Sequence, residues 1–350
     1  MIDLKALAAA LAGVPGLSDI AASGLAPLPG KGIAHDHLRI GATGLLARVP
    51  RPSQFGPAGD AYLRYQAASY RRAWPSGRVP RLVAAIAPAP GLPGGALVIE
   101  EIAGKPPLLP RDLPRIADSL ARIHSLSVPP PPERPPLQDH ADPARGTLEV
   151  IERNARSLDA ACADPQARAA IAEEIAWARS FAADSAGKDQ PATLAMSDTH
   201  PGNFLIDARG LAMFVDVEKA VYGSPAIDLA HATLYTSTVW DPDCGAVLSP
   251  DDVRGFYRGY LARIDPGLAQ RLKPWLAPMR RLTWLRTTTW ACRFKTEVID
   301  RGLLPDPQSR YARHAADCIR DYLSPATIAR LRAEWLGAER LDQGFALELE

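Results

Sequence analysis

The chain lacks any run of about 18 apolar residues, so no membrane-spanning helix is expected. It also lacks an excess of charge: 40 Lys and Arg stand against 39 Asp and Glu. Binding a polyanion needs a strongly basic face, so nucleic acid is not expected as a partner. The four cysteines, Cys162, Cys244, Cys292 and Cys318, are too scattered for a zinc site built on C-x-x-C pairs. Scattered thiols in a chain of 350 residues fit a reducing compartment, and the cytoplasm is the expected location. A chain this long needs no disulfides to complete a core. The opening MIDLKALAAALAGVPGL has a short apolar stretch carrying Lys and Asp. It reads as a helix of the mature protein rather than an export signal.

What the chain does have is proline, 34 residues of it, densest in VPPPPERPP at 128–136. That run can be neither helix nor central strand and reads as a polyproline-like connector between two helices. The first hundred residues look mixed. Short apolar runs at 38–40, 45–49 and 96–99 suggest strands, and 60–74 has no helix breaker. Beyond Gly104 the pattern turns helical. Asp112 is placed to cap a helix through His124, whose Leu113, Ile116, Ala117, Leu120 and Ile123 follow helical spacing. Further helical patterns cover 147–183, 251–263, 280–298 and 309–322, interrupted by a hairpin around Gly210. The expected fold is α+β with two lobes. A small β-rich N-terminal lobe spans 1–100, its first 20 residues a helical extension. A hinge at 101–104 leads into a large, mostly helical C-terminal lobe at 105–350.

The most informative stretch is AMSDTHPGNFLIDARGLAMFVDVEKAVYGSPAIDLA, residues 195–230. Asp198 precedes Asn203 by five residues, and a hairpin brings the chain back to Asp216. A loop of this spacing can turn an Asp and an Asn toward one pocket. Carboxylate and amide oxygens are the hard ligands that magnesium prefers. In phosphoryl transfer, Asp198 would orient the attacking hydroxyl or accept its proton, while Asn203 and Asp216 would hold Mg2+ against nucleotide phosphates. Taken alone, Asp-x-x-x-x-Asn also fits a plain capped loop before a hairpin.

The longer pattern closely resembles the aminoglycoside phosphotransferase and choline kinase-like family of the protein-kinase-like superfamily. Asp198, His200, Pro201, Gly202, Asn203, Asp216, Glu218, Gly223, Pro225 and Asp228-Leu229-Ala230 match its motifs in order and spacing. LARIHSL at 120–126 looks like its Leu-Ala-x-Leu-His-x-Leu helix, and VIEEIAG at 98–104 like its adenine hinge. The resemblance implies a two-lobed kinase fold and ATP with Mg2+. It implies Glu218 as an assisting metal ligand and Glu100, Glu101 and Ile102 as the adenine side. Gly30 and Gly32 would lie in a phosphate-covering loop, and Arg48 would act as the strand cation on the α/β-phosphates. His200 reads as a brace of the loop. Two departures stand out. Met196-Ser197 replaces the family's His-Gly, and Gln66 occupies the helix position where relatives pair a Glu with the strand cation.

The expected activity is transfer of the γ-phosphoryl group of ATP to a small-molecule alcohol acceptor. The alternative is a catalytically weak pseudokinase acting as a nucleotide-binding regulatory protein, for which Met196, Ser197 and Gln66 speak. The acceptor is open among amino alcohols, sugars, hydroxy amino acids and acyl-CoA derivatives. Arg286 and Arg293 suit an anionic acceptor, whereas Asp241, Asp243, Glu297 and Asp300 suit an amine. The absence of a dense acidic cluster argues against a polycationic antibiotic. Oligomeric state is not legible.

Overall fold

The computed structural model describes residues 2–29, 34–51, 59–304 and 306–337. Gly30 and Gly32 therefore lie outside the described residues. The N-terminal region runs α1 (Leu4–Leu11), β1 (Leu25–Pro27), β2 (His35–Ile40), β3 (Leu45–Pro50), α2 (Asp60–Ala73), β4 (Leu82–Ile86) and β5 (Ala96–Glu100). Its five strands form one antiparallel sheet in the order β1-β2-β3-β5-β4. Because side chains alternate along a strand, β5 serves two cores. Ala96 and Val98 pack with Leu7 and Leu11 of α1 on one face, while Leu97 and Ile99 join Leu63, Ala67 and Tyr70 of α2 on the other. The first helix thus closes the small sheet.

The C-terminal region begins with β6 (Gly104–Lys105), α3 (Leu113–His124), α4 (Pro143–Ala155), α5 (Leu158–Ala161), α6 (Pro165–Ser185) and β7 (Thr193–Ala195). The hairpin β8 (Phe204–Asp207) and β9 (Ala212–Phe214) follows, then β10 (Val221–Gly223), α7 (Pro225–Thr233) and α8 (Tyr235–Thr238). Four longer helices complete it: α9 (Pro250–Leu261), α10 (Pro266–Phe294), α11 (Arg310–Tyr322) and α12 (Pro325–Leu336). The apolar face predicted for α3 is buried throughout, each large residue such as Leu120 contributing about 1.5–3 kcal/mol.

Three local expectations are corrected. Asp112 sits at the N-cap position of α3, but its carboxylate accepts the Leu108 N–H at 2.8 Å and pairs with Arg111 and Arg115. Pro114 in the first turn removes an N–H that a cap would receive. The helical stretch at 147–183 is broken because Asp164 caps a fresh helix whose first residue is Pro165. Helix α10 starts 14 residues before Arg280 and passes through Pro274 and Pro278, since Leu272, Leu276 and Met279 are buried. The proline run contains a 3-10 turn at Pro131–Glu133.

The hinge matters to the site. Immediately after residues 101–103, β6 pairs with β8, placing Gly104 opposite Asp207. A Cβ on Gly104 would lie 2.9 Å from both Ile206 O and Leu205 Cβ. Only glycine lets β6 approach the β8–β9 hairpin this closely. Gly104→Ala is expected to lower the unfolding free energy by about 1–3 kcal/mol, the usual cost of overpacking. A urea titration with an unchanged midpoint would show that the contact relaxes freely.

Candidate active site

A buried carboxylate builds the loop that carries the site. Asp228 of α7 is fully buried and accepts the backbone N–H groups of Met196 at 2.6 Å and Ser197 at 2.8 Å. His124, at the end of α3, approaches the same carboxylate through Nε2 at 3.0 Å, and its Nδ1 lies 2.8 Å from the Tyr260 hydroxyl. Thr199 donates its hydroxyl to the Asp228 carbonyl at 2.7 Å. The loop is thus held by main-chain donors. This explains how a fully buried methionine, Met196, can occupy this place in the loop. Ser197 has φ +66°, a left-handed conformation that costs a non-glycine residue about 1–2 kcal/mol.

Asp198 follows directly, its side chain one-fifth exposed. Asn203 donates Nδ2–H to the Asp198 carbonyl at 2.8 Å, which turns its Oδ1 away. Val215 N–H bonds the Asn203 carbonyl at 2.9 Å, so Asp216 is delivered beside the loop. Gly202 permits this tight path, because a Cβ there would run into the Asp241 carboxylate.

Two cations interleave with the acids. Lys219 reaches the Asp198 carboxylate through Nζ and lies 3.8 Å from Glu218 Oε1. Arg48, only 2% exposed, extends Nη2 to Asp216 Oδ1 at 2.5 Å and to Glu218 Oε2 at 2.8 Å. His35 Nδ1 lies 3.1 Å from both Arg48 Nη2 and Glu218 Oε2, and Tyr62 of α2 donates to Glu218 at 2.9 Å. Three carboxylates therefore face two fixed cations. Burial pushes the Asp198 carboxyl up, but Lys219 overrules it and holds the group well below the usual range. Asp216 is likewise held low against burial by Arg48 and Lys219. Glu218 is pushed up by burial and by Asp216.

The predicted residues thus separate into groups. Asp198, Asn203, Asp216, Glu218 and Arg48 converge. Glu218, expected as an assisting metal ligand, has its Oε2 engaged by Arg48 and Tyr62. Among the described residues no three His, Cys, Asp or Glu side chains form a metal cage. Gln66 is buried but makes no hydrogen bond to Arg48, whose carboxylate partners come from the far side of the cleft. At the hinge, the Glu100 N–H bonds Arg81 O and the Glu101 N–H bonds Gly44 O, both at 2.9 Å, and the Glu101 side chain pairs with Arg39. Among the described residues no acceptor meets the Ile102 N–H. A cavity of about 560 Å3 lined by Val239, Pro242, Val247, Arg310 and His314 has none of these residues in its wall.

The model of the APH phosphotransferase enzyme family matches residues 29–275. The chain belongs to this phosphotransferase family. Its fold is shared with a choline/ethanolamine kinase family protein from Mesorhizobium loti at 17% identity, covering 97% of this chain and 98% of that one, with a TM-score of 0.61. A choline kinase from Cryptosporidium parvum Iowa II gives 14% identity, 98% and 100% coverage and a TM-score of 0.62. The wild-type aminoglycoside 2'-phosphotransferase-IIIa, solved as a GDP complex, gives 14%, 91% and 98%, and 0.57. A search of curated proteins finds no match. The protein is a small-molecule phosphotransferase enzyme with a kinase-like fold, and membership in this family does not favour the regulatory pseudokinase.

Several residues of the phosphotransferase site escaped the sequence reading. Lys219 directly follows Asp216-x-Glu218, and only the fold shows that it turns back to Asp198. His35 and His37 share one face of β2, with His37 directly opposite Arg48, a two-residue period that a strand makes legible. On α2, Tyr62 and Tyr65 reach Glu218 and the Ala220 carbonyl from one helix face, a three-residue spacing.

Burial holds the His231 imidazole down at about 3, although Asp198 draws it upward; Arg286 and His200 push it down further. Its folded value lies below the unfolded value of about 6.5, so the unfolded chain binds the extra proton between those limits. Stability from this group is complete above pH 6.5 and falls by up to about 1.4 kcal/mol per pH unit on acidification toward 3. The urea midpoint is therefore expected to drop between pH 7 and pH 5, and to drop less in His231→Asn. Equal acid sensitivity in both proteins would remove His231 as a cause.

Proposed function

We propose that this phosphotransferase moves the γ-phosphoryl group of ATP to the hydroxyl of a small-molecule alcohol, with Mg2+ bound. The convergence of Asp198, Asn203 and Asp216 beside Lys219 and Arg48 carries this reading. Amide and carboxylate oxygens are the hard donors that suit magnesium, and Asn203 and Asp216 would hold the ion. When bound, the metal neutralises charge on the nucleotide phosphates. Arg48 supports the Asp216 side of the phosphates, and the Ile102 N–H is the open hinge donor for a base edge.

Asp198 receives the acceptor hydroxyl and aligns its oxygen. A carboxylate held this acidic is a weak base, which suits a loose transition state in which the proton leaves late. Lys219 brings positive charge to the point where negative charge gathers on the transferred group.

Asp198→Asn is expected to cut turnover at least about 1,000-fold while Mg-ATP still raises the melting temperature. Asp216→Ala should abolish that Mg-dependent shift. Near wild-type ADP formation by both variants would refute these roles, and the same assays with GTP test the choice of nucleotide. Lys219→Gln is expected to lower kcat by about 100- to 1,000-fold with a small change in KM for ATP, and Lys219→Arg to recover part of it. A loss confined to KM would instead make Lys219 a nucleotide-binding group only.

A further inference from the structure

Arg286 is the cation that the phosphoryl machinery leaves over. It projects from α10 and donates Nη2–H to the Ser197 carbonyl at 2.5 Å, one residue from Asp198. It is partly exposed, and among the described residues no carboxylate lies within ion-pair distance of its guanidinium. Its two electrostatic neighbours, Asp198 and Asp228, are already held by Lys219 and by the loop amides with His124. Burial lowers its affinity for its own proton, a cost that an incoming anion would relieve.

The surroundings point the same way. His231, with a side chain 9% exposed, has a buried Nδ1 without a hydrogen-bond partner among the described residues. His140, which feels the charge of Arg286 and packs against Gly146 and Gly223, has another. The acids that would suit an amine are occupied instead. Asp243 pairs with Arg310 and Tyr311, Glu297 with Arg293, and Asp300 with Lys295. Asp241 accepts the Asp243 N–H at 2.8 Å and abuts Gly202. Arg286 also lies beyond residue 275, where the family match ends.

We propose that the acceptor alcohol carries an oxyanionic group, a carboxylate or a phosphate, and that Arg286 receives it beside Asp198, with His231 and His140 as neutral donors. This rests on the phosphotransferase reading of the same site. A guanidinium presents several N–H groups in one plane, so it can keep the Ser197 carbonyl while receiving an oxyanion.

The test is ADP formation from Mg-ATP across alcohols matched in size and differing in charge. Glycerate and glycerol 3-phosphate stand against glycerol, ethanolamine, choline and kanamycin. Hydroxy acids and phosphorylated polyols of increasing size extend the anionic arm. Oxyanionic alcohols are expected to be turned over. For the best of them, Arg286→Gln should raise KM about 30- to 100-fold while the Mg-ATP melting shift is kept. Arg286→Lys keeps a charge and a donor for Ser197, guarding against a folding defect, and should lie between. Three outcomes overturn the proposal: preference for neutral or cationic alcohols, no anionic alcohol accepted while Mg-ATP still binds, or a kcat loss in Arg286→Lys and Arg286→Gln with KM unchanged. Absence of any Mg-nucleotide shift in the wild type would instead strike the phosphotransferase reading itself.

Discussion

The site depends on one carboxylate that never meets substrate. Asp228 is fully buried and satisfies two consecutive backbone amides of the catalytic loop while also meeting His124. Buried amides without a partner cost about 1–3 kcal/mol each, so the loop has a strong reason to keep this path. The path sets Ser197 in a left-handed conformation and aims Asp198 out of the protein interior. Because the donors are main-chain groups, the side chain at 196 is free to change. A methionine fills the volume, and the hydrogen bonds survive.

A second constraint is the balance of charge across the cleft. Arg48 comes from the sheet, and Asp216 and Glu218 come from the segment after the hairpin. A single guanidinium nitrogen meeting both acids keeps the two lobes in register over about 170 residues of sequence. Tyrosines 62, 65 and 70 of α2 reach Glu218, Ala220 and Val215. The helix therefore steadies the metal-side segment through hydroxyls, and its neutral Gln66 leaves no cation unpaired. The strand cation exchanges a partner on its own lobe for one on the opposite lobe.

The sequence disclosed what short range and strict spacing determine. The Asp198–Asn203 loop, the return to Asp216 and the buried face of α3 all follow from local pattern, and each sits where that pattern implies. Features set by tertiary packing were hidden. Pro274 and Pro278 precede the helical pattern read at 280–298, yet buried neighbours carry α10 through them. The approach of Lys219 to Asp198 exists only once β10 pairs with β7 and folds the segment back. The pairing of Glu218 with Arg48 was equally hidden, because a 3-10 turn at Val217–Lys219 sets its direction.

The two halves of the site face different demands. Phosphoryl transfer fixes where acids, amide and cations must stand, and these groups all fall within the stretch shared with the family. Nothing in that chemistry fixes the electrostatics at the acceptor's far end. There, α10 and α11 contribute arginines, and most of these are matched: Arg293 with Glu297, Arg310 with Asp243. Among the described residues Arg286 has only a carbonyl as partner. A carbonyl satisfies one N–H but carries no charge, so the guanidinium keeps nearly its whole field in a partly dehydrated place. A cationic acceptor would have to bring a second positive charge against that field. An oxyanion would find the field already aligned, beside the loop that carries Asp198.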